Sequence, residues 1–176
     1  MRIALSLFIV AAWTTGIAQD INVEYDKKRD LSGYKSFTFG EGEIITPKDR
    51  RQSDAGKLHK WVKEAIGEEL KEKGLAQADS LGDLTVSYVI GSQERSDYSQ
   101  LGPLGTAPGN PSQTWSRDYQ MGKLVIDLND RNNKLIWRVN ATTNGTDTNI
   151  EQLIDQVVSA GFKRFSLKPK KVKTKK

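Results

Sequence analysis

The chain contains no cysteine and a single histidine, His59. The first absence removes disulfides, thiolate metal sites and cysteine nucleophiles, and it removes the acylated cysteine that anchors a bacterial lipoprotein. With one histidine, a zinc site would need carboxylates for its remaining ligands, and a serine triad through His59 lacks any G-x-S-x-G context. Long apolar runs are also missing. The longest, Ile3 to Trp13, falls well short of the ~20 residues that a membrane-spanning helix requires.

That run has another reading. It follows Met1-Arg2 and leads to Gly16-Ile17-Ala18, so a basic start, a short apolar centre and small residues before a cut describe a secretory signal peptide over residues 1–18. The mature chain would then begin at Gln19, be exported to the periplasm or beyond, and carry no cysteine-linked lipid. Its length suits one domain, 19–165, able to bury a core without covalent staples.

The net charge of +5 is unevenly distributed. After Phe162 come Lys163, Arg164, Lys168, Lys170, Lys171, Lys173, Lys175 and Lys176, with no acid among them. Taking these eight and Arg2 from the 27 Lys and Arg leaves 18 in residues 19–162, against all 22 Asp and Glu. The body is therefore mildly acidic, which speaks against a chain-wide nucleic-acid surface. Residues 166–176 read as a disordered, lysine-rich tail. Electrostatic contact of Lys170, Lys171 and Lys173 with anionic lipid or polysaccharide is its functional alternative, each lysine contributing ~1 kcal/mol near such a surface.

Periodicity supplies the elements. Leu58, Trp61, Val62, Ala65, Ile66 and Leu70 form one apolar stripe and predict a helix over 53–73, capped by Ser53 and ended by Gly74. Ile150, Leu153, Ile154, Val157, Val158, Gly161, Phe162 and Phe165 predict a second, with Thr148 to Glu151 as a capping box. Alternation predicts strands around Leu84–Ile90, Leu124–Leu128 and Leu135–Ala141, the last two joined as a hairpin through Asn129–Lys134; with Leu128 opposite Leu135, Trp137 should face the helices beside Ile126 and Arg138 the other side. Val23–Tyr25 and Tyr34–Phe39 read as two shorter strands. The order β, β, α, β, β, β, α predicts an α+β, two-layer sandwich: a mostly antiparallel sheet of about five strands with two helices on one face. Residues 92–118, with three of the five prolines and no periodicity, read as a long loop.

Several of these runs together resemble a known family. Val23-Glu24-Tyr25-Asp26, Asp30 to Phe37, Asp83 to Tyr88, Gly122 to Leu128 and Leu135 to Arg138 occur in the order found in the bacterial domain-of-unknown-function family 4136. The resemblance implies an exported, often lipid-anchored envelope protein, mostly of Gram-negative bacteria, with no established activity. It brings no catalytic residues, and this chain departs from many relatives in lacking the lipidated cysteine.

No cofactor or metal motif emerges from the residues themselves. Asp127 to Asn132 has clustered oxygens but fails the EF-hand spacing at Arg131 and Asn132. Gly40 to Glu43 has neither the length nor the lysine of a phosphate loop. Asn140 and Asn144 stand in sequons, read here as strand-end chemistry. What remains is the polar face of the sheet, where Ser36, Thr38, Thr85, Ser87, Asp127, Arg138 and Asn140 should gather opposite the helices. The 92–118 loop could fold over it, offering Tyr98, Trp115 and Tyr119 as contacts for an envelope protein or ligand. This reading is a non-enzymatic interaction module; its rivals are an envelope hydrolase with an unfamiliar carboxylate site and a polyanion binder acting through the tail.

Overall fold

The computed structural model describes residues 19–51, 53–100, 114–144 and 149–168. The expected signal peptide, residues 101–113 at the centre of the expected loop, Thr148, and the tail lysines from Lys170 onward lie outside the described residues.

Among the described residues, six strands and two α-helices build the domain. The strands are β1 (Gln19–Tyr25), β2 (Ser36–Ile44), β3 (Ala76–Gln77), β4 (Leu84–Gln100), β5 (Thr114–Asp130) and β6 (Leu135–Asn144); the helices are α1 (Ala55–Glu72) and α2 (Ile150–Phe162). Their sheet order is β1-β6-β5-β4-β2-β3. β1, β6, β5 and β4 pair antiparallel, whereas β2 runs parallel to both β4 and β3. The α+β layer arrangement is as the patterning predicts, with one strand more. At two residues, β3 is too short to show any alternation.

One apolar layer explains the packing. Val86, Ile126, Leu128, Trp137 and Val139 on the sheet meet Val62, Ile66 and Leu70 of α1 and Val158 and Phe162 of α2, all essentially buried. Neither helix could leave its stripe in water, since each fully buried aliphatic side chain contributes about 1.5–3 kcal/mol. Asp54, rather than Ser53, caps α1 by accepting from the N–H groups of Gly56 and Lys57. Asn149, rather than Thr148, caps α2 by accepting from Glu151 and Gln152. In each case the residue directly before the first helical turn satisfies the free N–H groups. Gly74, at φ 96°, ends α1 as its sequence position implies.

The β5–β6 hairpin forms, but its register differs from the simplest reading. Leu128 stands opposite Trp137, not Leu135, and the ladder shifts between Leu128 and Asn129. A displacement of two keeps every side chain on its face, so Trp137 still points to the helices. The irregularity turns Leu135 outward, 38% exposed, and buries Ile136. Asn133 carries the turn at φ 57°, and the Asp130 carboxylate accepts from the N–H groups of Asn132 and Lys134.

The 92–118 loop is the largest correction. β4 continues through Gln100 and β5 begins at Thr114, with unbroken pairing from Ser92↔Gly122 to Gln100↔Thr114. Two mostly polar strands show no apolar alternation, so their pairing is a property of the backbone that residue hydrophobicity does not report.

Asp83 ties the start of β4 to the start of β2. Its carboxylate accepts from the Lys35 and Ser36 N–H groups at 2.9 and 3.1 Å and from Ser36 Oγ at 3.1 Å, and it pairs with Arg131 at 2.9 Å. These bonds, the Lys35 N–H first, hold its carboxyl below the usual carboxylate range. A lowered folded value means stability that is present above the unfolded value of ~3.9 and is lost as pH falls through the folded one. Urea midpoints of the parent chain and Asp83→Asn should therefore differ at pH 7 and draw together as pH falls below the ordinary carboxylate range; a constant difference would show that the carboxylate's charge contributes nothing.

Candidate functional site

Among the described residues, no layer covers the face of the sheet away from the helices. Register sets its rows. Glu24, Arg138, Asp127 and Ser87 lie side by side across β1, β6, β5 and β4. In the next row come Asn22, Asn140, Val125, Val89 and Glu43. Thr38, Thr85 and Asn129 form a third. The residues expected to share a polar face are thus brought together, and all are at least partly accessible.

Arg138 organises this face. Its Nε and Nη2 donate to the two carboxylate oxygens of Asp127 at 2.6 and 2.5 Å. Asp127, with Glu24 on the opposite side of Arg138, raises the guanidinium's already high pKa. Such a bidentate pair fixes both side chains in one geometry. Asn140 donates to Glu24 at 3.2 Å, extending the network to the edge strand. Beside the pair is a shallow depression of about 150 Å³ lined by Glu41, Glu43, Ser87, Val89, Val125 and Asp127. Its floor holds the adjacent valines Val89 and Val125, a small apolar spot within an acidic rim.

Beyond this face β4 and β5 leave the sheet together. The last β2 partner of β4 is Ile44, opposite Ile90, and the last described β6 partner of β5 is Asn144, opposite Met121. The ribbon places Trp115 opposite Ser99 and Tyr119 opposite Arg95, in the same alternation as Asp127. Tyr98 stands opposite Ser116, on the alternate rungs of the same ladder.

His59 is half-buried, with its Nδ1 2.9 Å from the Tyr88 hydroxyl. Tyr88 is buried and its hydroxyl pKa is raised by that burial. Gly42 makes room for the ring, since a Cβ there would stand 2.3 Å from Tyr88 Cζ. The histidine is thus a partner of a core tyrosine. Among the described residues, no three His, Asp or Glu side chains converge as a metal site would need.

One feature was not legible as a site. β2, β4 and β6 run one way, and α1 and α2 both start at their carboxyl ends, where Leu58, Ile150 and Leu153 line a crevice of about 100 Å³ together with Gly91, Gly122 and Arg51. Two glycines on neighbouring rungs of a strand pair were its signal, because glycine within a strand marks a close approach. A Cβ on Gly122 would lie 2.8 Å from Thr143 Oγ1. The crevice sits at the root of the ribbon.

A single sheet with two helices on one face and, among the described residues, an uncovered polar face on the other define a small α+β layer domain. The chain belongs to the family of the domain of unknown function DUF4136, whose model matches residues 21–165. The sequence matches no curated protein. Among solved structures, the fold is similar to that of the PelC dodecamer from Paraburkholderia phytofirmans, at 8% identity and a TM-score of 0.52, covering 88% of this chain and 100% of that one. A PDZ domain protein from Parabacteroides distasonis is similar at 12% identity and a TM-score of 0.49, over 88% of this chain and 38% of that one. No helix among the described residues is long and apolar enough to cross a membrane.

Proposed function

We propose that the chain is an exported cell-envelope interaction module that holds a partner against the open sheet face and the β4–β5 ribbon, with no chemistry of its own. The ribbon carries this reading. Over residues 92–100 and 114–120 two paired strands run past their neighbours, and among the described residues no strand pairs with their outer edges. Native folds normally cover or blunt such edges, and an uncovered one is a template for strand addition. The bidentate Arg138–Asp127 pair and the Val89–Val125 spot give the adjoining face fixed geometry for side-chain contacts.

The export half of the reading rests on the sequence, where Met1-Arg2, the short apolar run and the small residues Gly16 and Ala18 describe a cleavable signal. The intact mass of the envelope-fraction protein should begin at Gln19; a species retaining Met1 to Ala18 there would contradict export by cleavage. Shortening the ribbon by removing paired rungs beyond Gln93 and Met121 should abolish co-purification of the envelope partner while leaving the thermal midpoint nearly unchanged. Retained co-purification would remove the ribbon from the function.

A further inference from the structure

We propose that the crevice at the start of the two helices binds a single-chain amphiphile with an anionic head, of the chemical class of a medium-chain fatty acid, its carboxylate on Arg51 and its tail along α2. The crevice lies on the helix side of the sheet, apart from the open face, and has two parts. The outer part, about 100 Å³, is lined by Thr46, Arg51, Ser53 and Ser92 at its polar end. An inner part of about 80 Å³ shares Leu58, Ile90, Gly122 and Leu153 with it and continues past Ile154 to Val157. One end is thus polar and cationic, and the other is walled by aliphatic side chains.

A single glycine makes this space. On β5, Gly122 stands in the inward alternation of Leu124, Ile126 and Leu128, so a larger residue there would project between the helix starts. Without it, Ile90, Ile150 and Leu153 are only half-buried, whereas Leu124, Ile154 and Val157 beside them are buried. An apolar tail laid on the half-buried residues removes their surface from water and its own as well. Each methylene so buried raises affinity about fourfold.

The dimensions favour one slender chain. From Ile150 to Val157 the helix rises ~10 Å at 1.5 Å per residue, the extended length of roughly eight carbons. The volumes suit the same tail, since an apolar cavity of ~150 Å³ takes up a benzene ring. The floor favours a tail over a peptide strand. Ser92, Gly122 and Thr143 stand side by side in the β4, β5 and β6 ladders, so a strand laid there finds no backbone row to join.

Arg51 selects the head. Its Nε donates to the Thr46 carbonyl at 2.8 Å, which holds the guanidinium at the mouth and leaves the donors on its two Nη atoms. Among the described residues no carboxylate pairs with it. A carboxylate head offers the two oxygens that such a fork binds best. Both helices begin at this mouth, and their positive ends add to the attraction. Asp54, the acid at the start of α1, already accepts through Oδ1 from the N–H groups of Gly56 and Lys57.

Isothermal titration calorimetry of the full chain with sodium octanoate, below its micelle concentration, tests the assignment. One saturable site is expected, with affinity rising about fourfold per methylene from hexanoate to octanoate. Octylammonium has the same tail and the opposite charge, so it should bind far more weakly, although adsorption to the mildly acidic body would favour it. Arg51→Gln should weaken octanoate about tenfold or more at an unchanged thermal midpoint, as loss of a charged hydrogen bond implies. Leu153→Trp, which fills the crevice from the helix and leaves its floor unaltered, should abolish octanoate binding. Equal octanoate affinity in the parent and Arg51→Gln chains, tighter binding of octylammonium, or binding unaffected by Leu153→Trp would each overturn the proposal. Absence of saturable octanoate binding, with loss of a co-purifying envelope protein in Leu153→Trp, would give the crevice to that protein and overturn it too.

Discussion

Replacing Trp137 by alanine should cost about 3–5 kcal/mol of stability, the range for removing a large buried side chain that its surroundings cannot refill. Trp137 is 1% exposed and lies between Tyr25 and the Phe162–Phe165 pair, with its indole N–H donating to the Gly161 carbonyl at 3.2 Å. The substitution removes three aromatic contacts and leaves that carbonyl without its donor. Arg138→Ala, one residue along, touches the other face. Its pair with Asp127 is partly exposed, at 37% and 20% for the two side chains, and such pairs are worth ~1 kcal/mol or less. Urea denaturation of the two variants should separate them clearly; equal losses would mean that the two residues do not lie on opposite faces.

Gly161→Ala should destabilise by about 1–3 kcal/mol, although alanine is the better helix former by ~0.8–1 kcal/mol. A Cβ at Gly161 would stand 2.5 Å from Val139 Cγ1 and 2.8 Å from Cγ2, so α2 would have to lift from β6. The carbonyl that receives the Trp137 N–H would move with it. In a Val139→Ala background both γ-carbons are gone and only the residue-139 Cβ remains, at 3.3 Å, so the cost of Gly161→Ala should fall to near zero. A double-mutant cycle reads this coupling directly, and additive losses would show that the close approach does not limit the packing.

These two residues also show what the sequence disclosed. Gly161 belongs to an apolar helical stripe, and its place between Val158 and Phe162 already set it on the buried face. Trp137 was placed correctly because alternation has a period of two, which survived a register error of two residues. The polar face was legible for the same reason, down to Asp127 and Arg138 sharing it. Their bidentate contact was not, because it depends on the pairing that brings Asp127 opposite Arg138. The β4–β5 ribbon was misread as loop because Ser92 to Gln100 and Thr114 to Gln120 contain almost no apolar residues. Its register comes from a ladder begun in the core at Leu84↔Asp130 and carried outward without interruption. The crevice at the helix starts had only the two strand glycines as a signal, for a different reason. It is assembled from Arg51, Leu58, Gly91, Gly122 and Ile150, which are remote in sequence and joined only by the sheet order.

The open sheet face is the centre of the functional proposal, and site-specific photocrosslinking in the intact envelope tests it most directly. A photoreactive residue at Val125, in the apolar spot beside Asp127, should yield one discrete adduct with a partner, and the same group at Lys60, on the exposed side of α1, should yield none. Adducts of equal yield from both positions, or none from Val125, would contradict the assignment of this face as the interaction surface.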